Sequence, residues 1–414
     1  MLSAVSRVQS SPTNDEGVAL DAALGALLRD STHLEPDDLP LAVRQTAGRL
    51  GAVEARIYLV DYEQHELREL AGPGSTPVQP LAVDGTVVGR VYRTQELVEL
   101  SEAELRRLLI PLVDGSHRIG VLELCVPSDS KVPVPRWQAL ASLVADLVIT
   151  KSAYGDTIDI TRRRIPMAVR AEAQRSLLPP LTLITPRLLV TGMLVPSYEV
   201  AGDVFDYALN GNTLHFAILD AMGHSLSATL TATVAVSAYR NSRRRGGSLE
   251  DGWRTAELGG DRLVGGERFA TAVFGELDLT TGRLRSMSAG HPAALVVRGN
   301  RVVARCADEP TLPVGLGGES PAITSTNLQP GDRLLLFTDG IVEARARSGE
   351  FFGEERLVDN IARELDTGLP APEAVRRLVH AVGEHQSGKL RDDATLMLVE
   401  WRGKDKHRPD PATL

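Results

Sequence analysis

Aromatic residues are scarce in this chain, 4% of 414, so its cores must rest mainly on Leu, Val, Ile and Ala. Cysteine is scarcer still: Cys125 and Cys306 lie far apart, each in an apolar, strand-like run. Such a pair makes neither a CxxC motif nor a disulfide framework, and it fits a reducing compartment. The N-terminus lacks the basic-then-apolar order of a signal peptide. No run approaches the roughly 18 uncharged apolar residues that a membrane span needs, and Ala139–Thr150 is broken by Asp146. These absences predict a soluble, cytoplasmic protein with no membrane partner. Positive charge is also in deficit. A net charge of −9 argues against general affinity for nucleic acid or anionic lipid. One local basic run, Arg243-Arg244-Arg245, has no interleaved aromatics to stack bases and reads as a solvated loop.

What is present is ordinary globular material, 43% hydrophobic and 24% charged, in a length that predicts two domains. After a loose, Ser-rich start, Val18, Leu20, Leu24, Leu27 and Leu28 recur at helical spacing. Leu41–Leu50 reads as a second helix stopped by Gly51. Strands follow at Ala55–Asp61 and Glu66–Ala71. Leu109–Val113 and Arg118–Val126 form a hairpin about Asp114-Gly115. Trp137, Leu140, Val144, Leu147 and Val148 then mark a returning helix. Residues 15–150 are therefore one unit and 151–185 a helical connector. Within the connector, 167–178 reads as one helix with Val169, Ala173 and Leu177 on a stripe, ended by Pro179-Pro180.

From Arg187 the texture becomes β-rich. Strands are predicted at Leu188–Val195, Val204–Leu209, Thr213–Asp220, Phe269–Leu279, Leu284–Ser288, Ala293–Arg298, Val302–Cys306, Ala322–Leu328, Arg333–Phe337 and Ala394–Trp401. Helices are predicted at Leu226–Arg240, Glu354–Leu365 and Pro372–His385, and the Gly- and Arg-rich stretch Asn241–Glu267 shows no tidy helix. Connections too short for parallel crossovers imply antiparallel sheets, covered by helices in a layered α+β domain over 186–403. A polar tail, 404–414, closes the chain.

Four acidic motifs stand at strand ends or turns of this second half: Gly202–Asp206, Asp220–His224, Phe337–Gly340 and Arg391–Thr395. Alone, each is an ordinary turn or solvated loop. Strand ends from different parts of a sheet can converge, however, and clustered carboxylates repel one another unless positive charge offsets them. No Lys or Arg recurs at all four motifs, so divalent cations are the natural counter-charge. An all-oxygen shell favours Mg2+ or Mn2+ over zinc.

Taken in order, these motifs resemble the PPM family of metal-dependent serine/threonine phosphatases. The bacterial branch with the sporulation stage II E and stress-response sigma regulatory phosphatases is the most similar. Phe269-Ala270-Thr271, Ala289-Gly290-His291-Pro292 and Leu312-Pro313-Val314-Gly315 extend the match. The resemblance implies an αββα sandwich with two Mn2+ or Mg2+ ions. Asp220 would bridge both ions and the Ala221 carbonyl would bind one of them. Asp203 would serve that second ion, and Asp339 and Asp392 the first. A water held between the ions would attack the phosphorus. Asp206, Gly340, Asp393, His224 and His291 are implied as supporting residues around the ligands.

The order of elements in residues 15–150, with Ile110-Pro111-Leu112 and Ile119–Leu124 as central strands, resembles a GAF domain. That implies a sensory ligand or, with equal force, a dimerising scaffold; a homodimer would form through this domain or the connector. Together the resemblances imply a signal-gated phosphatase acting on phosphoserine or phosphothreonine in a small anti-anti-sigma (STAS) regulator. The rival is a pseudophosphatase that binds its target without turnover.

Overall fold

The computed structural model describes residues 13–199, 202–223, 225–264, 268–306, 311–388, 390 and 392–403. The expected loose start, the polar tail and His224 lie outside the described residues. The chain divides into two compact units that part between Arg163 and Arg164.

The first unit opens with α1 (Thr13–Asp30) and α2 (Leu39–Arg49), followed by β1 (Glu54–Val60), β2 (Glu66–Glu69) and β3 (Leu81–Ala82). After α3 (Val87–Thr94) come β4 (Val98–Glu102), β5 (Leu105–Asp114) and β6 (His117–Pro127), then α4 (Val134–Ser152) and α5 (Thr157–Arg162). The strands form one six-stranded sheet in the order β3-β2-β1-β6-β5-β4. Side chains alternate across a strand, so β1 sends Ile57 and Leu59 into a core with Leu27, Val43, Trp137 and Val144 of α1, α2 and α4. Its Tyr58 and Val60 face the opposite way, toward Val88, Val91 and Tyr92 of α3.

The second unit begins with α6 (Val169–Arg175), β7 (Thr182–Thr185), β8 (Leu188–Val195), β9 (Asp203–Asn210) and β10 (Thr213–Ala221). Two helices, α7 (Leu226–Arg244) and α8 (Leu249–Val264), lead to β11 (Ala270–Asp278), β12 (Arg283–Ala289), β13 (Leu295–Arg298), β14 (Arg301–Arg305), β15 (Thr324–Asn327) and β16 (Arg333–Phe337). The short α9 (Asp339–Val342), then α10 (Gly353–Asp366), α11 (Ala371–His385) and β17 (Ala394–Trp401) complete it. Five strands pair as β15-β12-β11-β10-β9 and six as β14-β13-β16-β17-β8-β7. Both sheets are antiparallel, as expected.

Period-two alternation builds the layers. Leu214, Phe216 and Ile218 of β10 meet Met397, Val399 and Trp401 of β17 in a core between the sheets. The other face of β10 presents Ala217, Leu219 and Ala221 to α7 and α8. The other face of β17 presents Leu396 and Leu398 to α10 and α11. β8 is buried along its whole length because both its faces are covered. The result is the αββα sandwich.

Three expectations need correction. Residues 241–267 are not an irregular stretch, because α8 runs through most of them. Its glycines serve packing: a Cβ on Gly252 would stand 3.0 Å from the Tyr239 ring, and one on Gly259 3.1 Å from Val234. Second, Arg243 is not a solvated loop residue. It lies at the end of α7, where it and Arg240 grip Asp206 of β9 at 2.7 and 2.8 Å. Third, α6 is only seven residues long, and Val169 on its expected stripe is 77% exposed. Its buried residues are Ala171 and Gln174, the latter a polar side chain whose amide finds partners inside.

The clamp on Asp206 generates a stability prediction. Removing one partner of a buried pair leaves the other charge uncompensated, at a cost of about 3 kcal/mol or more. Asp206→Ala should therefore lower the melting temperature markedly while leaving Mn2+ affinity of the folded protein near wild type. An unchanged melting curve would contradict this role.

Candidate metal centre

The acids converge because strand register brings them to one end of the sandwich. Asp220, near the end of β10, is paired with Asp203 at the start of β9 on one side and with Thr271 of β11 on the other. Asp339 follows directly on β16, and Asp392-Asp393 directly precede β17, its neighbour in the second sheet. Gly340 lets these last two turns touch, since a Cβ there would stand 1.8 Å from the Asp393 carbonyl oxygen. The supporting role expected of Gly340 is thus steric.

Asp203 is almost fully buried and joins the two sheets. One of its carboxylate oxygens accepts hydrogen bonds from the hydroxyls of Thr338 at 2.7 Å and Thr395 at 2.6 Å, both from the opposite sheet. Asp393 answers from the other direction: its Oδ2 accepts from the backbone N–H of Gly202 at 2.7 Å and of Asp203 at 3.1 Å. Its Oδ1 is buried and has no hydrogen-bond partner among the described residues. Gln174 of α6 donates to the Asp203 carbonyl at 2.6 Å and reaches Asp393 Oδ2 at 3.4 Å. The Ala221 carbonyl faces the same loop, 3.0 Å from where a Cβ on Gly202 would stand.

His291 makes a second tie between the sheets. Its Nε2 lies 3.1 Å from the Phe337 carbonyl, which can only accept, so this nitrogen carries the proton. Nδ1 then accepts from the Thr271 hydroxyl at 2.7 Å. Burial pushes the imidazole down to about 4, so His291 is a neutral strut. Asp206 does not join the centre, being occupied by its two arginines.

The electrostatics are those of crowded acids. Burial, reinforced by the charges of Asp339, Asp392 and Asp393, pushes Asp220 up to about 7. Burial and then Asp220 and Asp393 hold Asp203 well above the usual carboxylate range. Asp339 is raised by burial and then by Asp392 and Glu343. Burial pushes Asp393 up to about 6 against the pull of its two backbone donors. Among the described residues no three acids or imidazoles are yet close enough to enclose an ion. The acids stand instead as two pairs, Asp203 with Asp220 and Asp339 with Asp392. The second pair lines a cavity of about 190 Å3 together with Glu343, Arg345 and Gln386. An oxygen-only donor set, mutual repulsion and an orphaned buried oxygen all fit hard divalent cations.

Sequence reasoning missed Thr271, Thr338, Thr395 and Gln174. The threonines lay inside the motifs it had found, beside more conspicuous acids. Gln174 left a weaker trace, a polar residue at a helical position that turns out to be buried.

Residues 210–402 match the family described as Stage II sporulation protein E (SpoIIE). The chain is similar to Protein IcfG of Synechocystis sp., 25% identical over 134 residues, which are 32% of this chain and 21% of that protein. It is also similar to the phosphoserine phosphatase RsbU of Bacillus subtilis, 21% identical over 206 residues, 50% of this chain and 61% of that protein. The matched regions thus cover about a fifth of the first curated relative and three fifths of the second. A solved structure of the RsbU and RsbW domains of a Mycobacterium tuberculosis protein aligns with 54% of this chain and 63% of its own, at 23% identity and a TM-score of 0.47.

Two predictions follow from the crowding. A carboxyl raised from 3.8 to about 7 holds its proton in the folded state where the unfolded chain has lost it. It contributes stability below about pH 3.8 that is lost as pH rises through 7, on the order of 4 kcal/mol in all. In chelator, the wild type should therefore lose more stability between pH 5 and 8 than Asp220→Asn does, as melting curves would show. Equal slopes would refute the crowding. Secondly, Asp392→Ala should weaken Mn2+ binding in calorimetry with little change in melting, because Asp392 is exposed. Asp393→Ala should instead lower the melting temperature, because it strips two backbone donors of their acceptor.

Proposed function

We propose that the chain, whose residues 210–402 match the Stage II sporulation protein E family, hydrolyses phosphoserine or phosphothreonine in a protein, with two Mn2+ or Mg2+ ions as cofactors. The observation that carries this reading is the convergence of Asp203, Asp220, Asp339 and Asp392 from both sheets on one end of the sandwich. Asp220, Asp203, the Ala221 carbonyl, Asp339 and Asp392 would hold the ions. When bound, the ions supply Lewis acidity to a water and neutralise phosphoryl oxygens. The chain's own part is to hold the acids in place: Thr338 and Thr395 fix Asp203, Asp393 fixes the backbone beneath it, and His291 fixes the strand end before Asp339.

The substrate we propose is a phosphorylated STAS-type anti-anti-sigma regulator in the cytoplasm. The similarity to RsbU and to the sporulation family supports this reading. Residues 15–150 would be a GAF-like sensor, 151–185 a connector and 186–403 the catalytic part, with any homodimer formed through the first two. Gln174 supports control through the connector, because α6 places its amide against the Asp203 carbonyl.

The test is phosphate release from a phosphorylated STAS protein by the full chain, with Mn2+, Mg2+ or chelator. Metal-dependent release that falls to background in Asp220→Asn is expected. Release from unrelated phosphoproteins alone would remove the STAS assignment. Tight binding without turnover at any metal concentration would favour the pseudophosphatase instead.

A further inference from the structure

Among the described residues, the cavity beside Asp339 and Asp392 is lined by one cation, Arg345. Its position is fixed by a small hairpin. Arg345 bridges antiparallel to Phe351, Phe352 N–H donates to the Ala344 carbonyl at 2.8 Å, and Ala346 N–H donates to the Glu350 carbonyl at 2.9 Å. The guanidinium stacks 4.3 Å from the centre of the Phe351 ring. That stacking occupies one face of the guanidinium plane, and the residue is otherwise exposed. Among the described residues Arg345 has neither a hydrogen bond from its side chain nor an ion pair, although Glu343 lines the same cavity. By contrast Arg240, Arg243, Arg298, Arg305, Arg356 and Arg377 are each engaged by a carboxylate.

An unpaired, stacked guanidinium across a cavity from two acids is poorly explained as a structural part. The acids themselves do not need it once dications offset them, so the fork is left facing whatever enters the cavity. Planar, bidentate donors match the tetrahedral oxygens of a phosphoryl group. We propose that Arg345 binds the phosphoryl oxygens of the substrate, orienting the phosphate over the Asp339–Asp392 side of the centre. The inference rests on the phosphatase reading, which leaves the phosphate-binding side chain unassigned.

The test uses the full chain with Mn2+ and three readouts: calorimetric Mn2+ binding, inhibition by inorganic phosphate, and kinetics on p-nitrophenyl phosphate. A charge-assisted, bidentate contact corresponds to about tenfold to hundredfold in affinity. Arg345→Gln should raise the phosphate inhibition constant and KM by that factor, with Mn2+ affinity and melting temperature near wild type. Arg345→Lys, which keeps the charge and loses the fork, should recover part of the loss. Unchanged phosphate inhibition and KM in an active Arg345→Gln protein would overturn this assignment and leave the phosphatase reading intact. A loss confined to phosphopeptide substrates would also overturn it, placing Arg345 on the peptide instead. A wild type that neither turns over substrate nor binds phosphate would overturn both.

Discussion

One carboxylate oxygen, on Asp203, holds two sheets in register at the end where the acids converge. Its partners are hydroxyls of Thr338, just past the end of β16, and Thr395, on β17 of the opposite sheet, and it is almost fully shielded from water. A buried acceptor satisfied from the facing layer is costly to leave unmade, so the sheets cannot slide past each other here without exposing an unpaired charge. The hydrophobic core between the sheets sets their spacing but not their relative slip, because apolar contact is non-directional. Direction comes from this polar tie, from Asp393 against the Gly202–Asp203 backbone, and from His291 between Thr271 and Phe337.

The same tie explains why the electrostatic frustration is tolerated. Asp220 sits in a site raised by burial and by three neighbouring carboxylates, an arrangement that folding alone would not favour. Core packing and the threonine and histidine struts offset that cost, so the acids are held apart from their preferred hydration and ready for cations. Strain of this kind, concentrated at one end of an otherwise consistent fold, marks where sequence rules are broken for function.

Much of this architecture was legible from alternation. β8, β16 and β17 carry apolar runs long enough to state their own limits, and they fall where expected. The acids were legible too, because each closes or opens such a run. What escaped notice depended on partners distant in sequence. α8 was hidden by glycines that a helix scale penalises but that its packing on Tyr239 and Val234 requires. Arg243 looked solvated because nothing nearby in sequence reveals Asp206 beneath it. The stripe on α6 was misread for a related reason: periodicity counts apolar residues, whereas this helix buries an amide. His224 lies outside the described residues.

The amide of Gln174 also bears on where the second unit of the chain can be cut. By texture the β-rich region starts near Arg187, and a fragment trimmed there would keep β8 and every later strand and helix of the sandwich while losing β7 and α6. It would thus lack the donor that satisfies the Asp203 carbonyl, leaving that oxygen to water or to nothing. Such a truncated protein would fold around a subtly different floor. Any metal affinity measured on it would then describe the cut as much as the full chain.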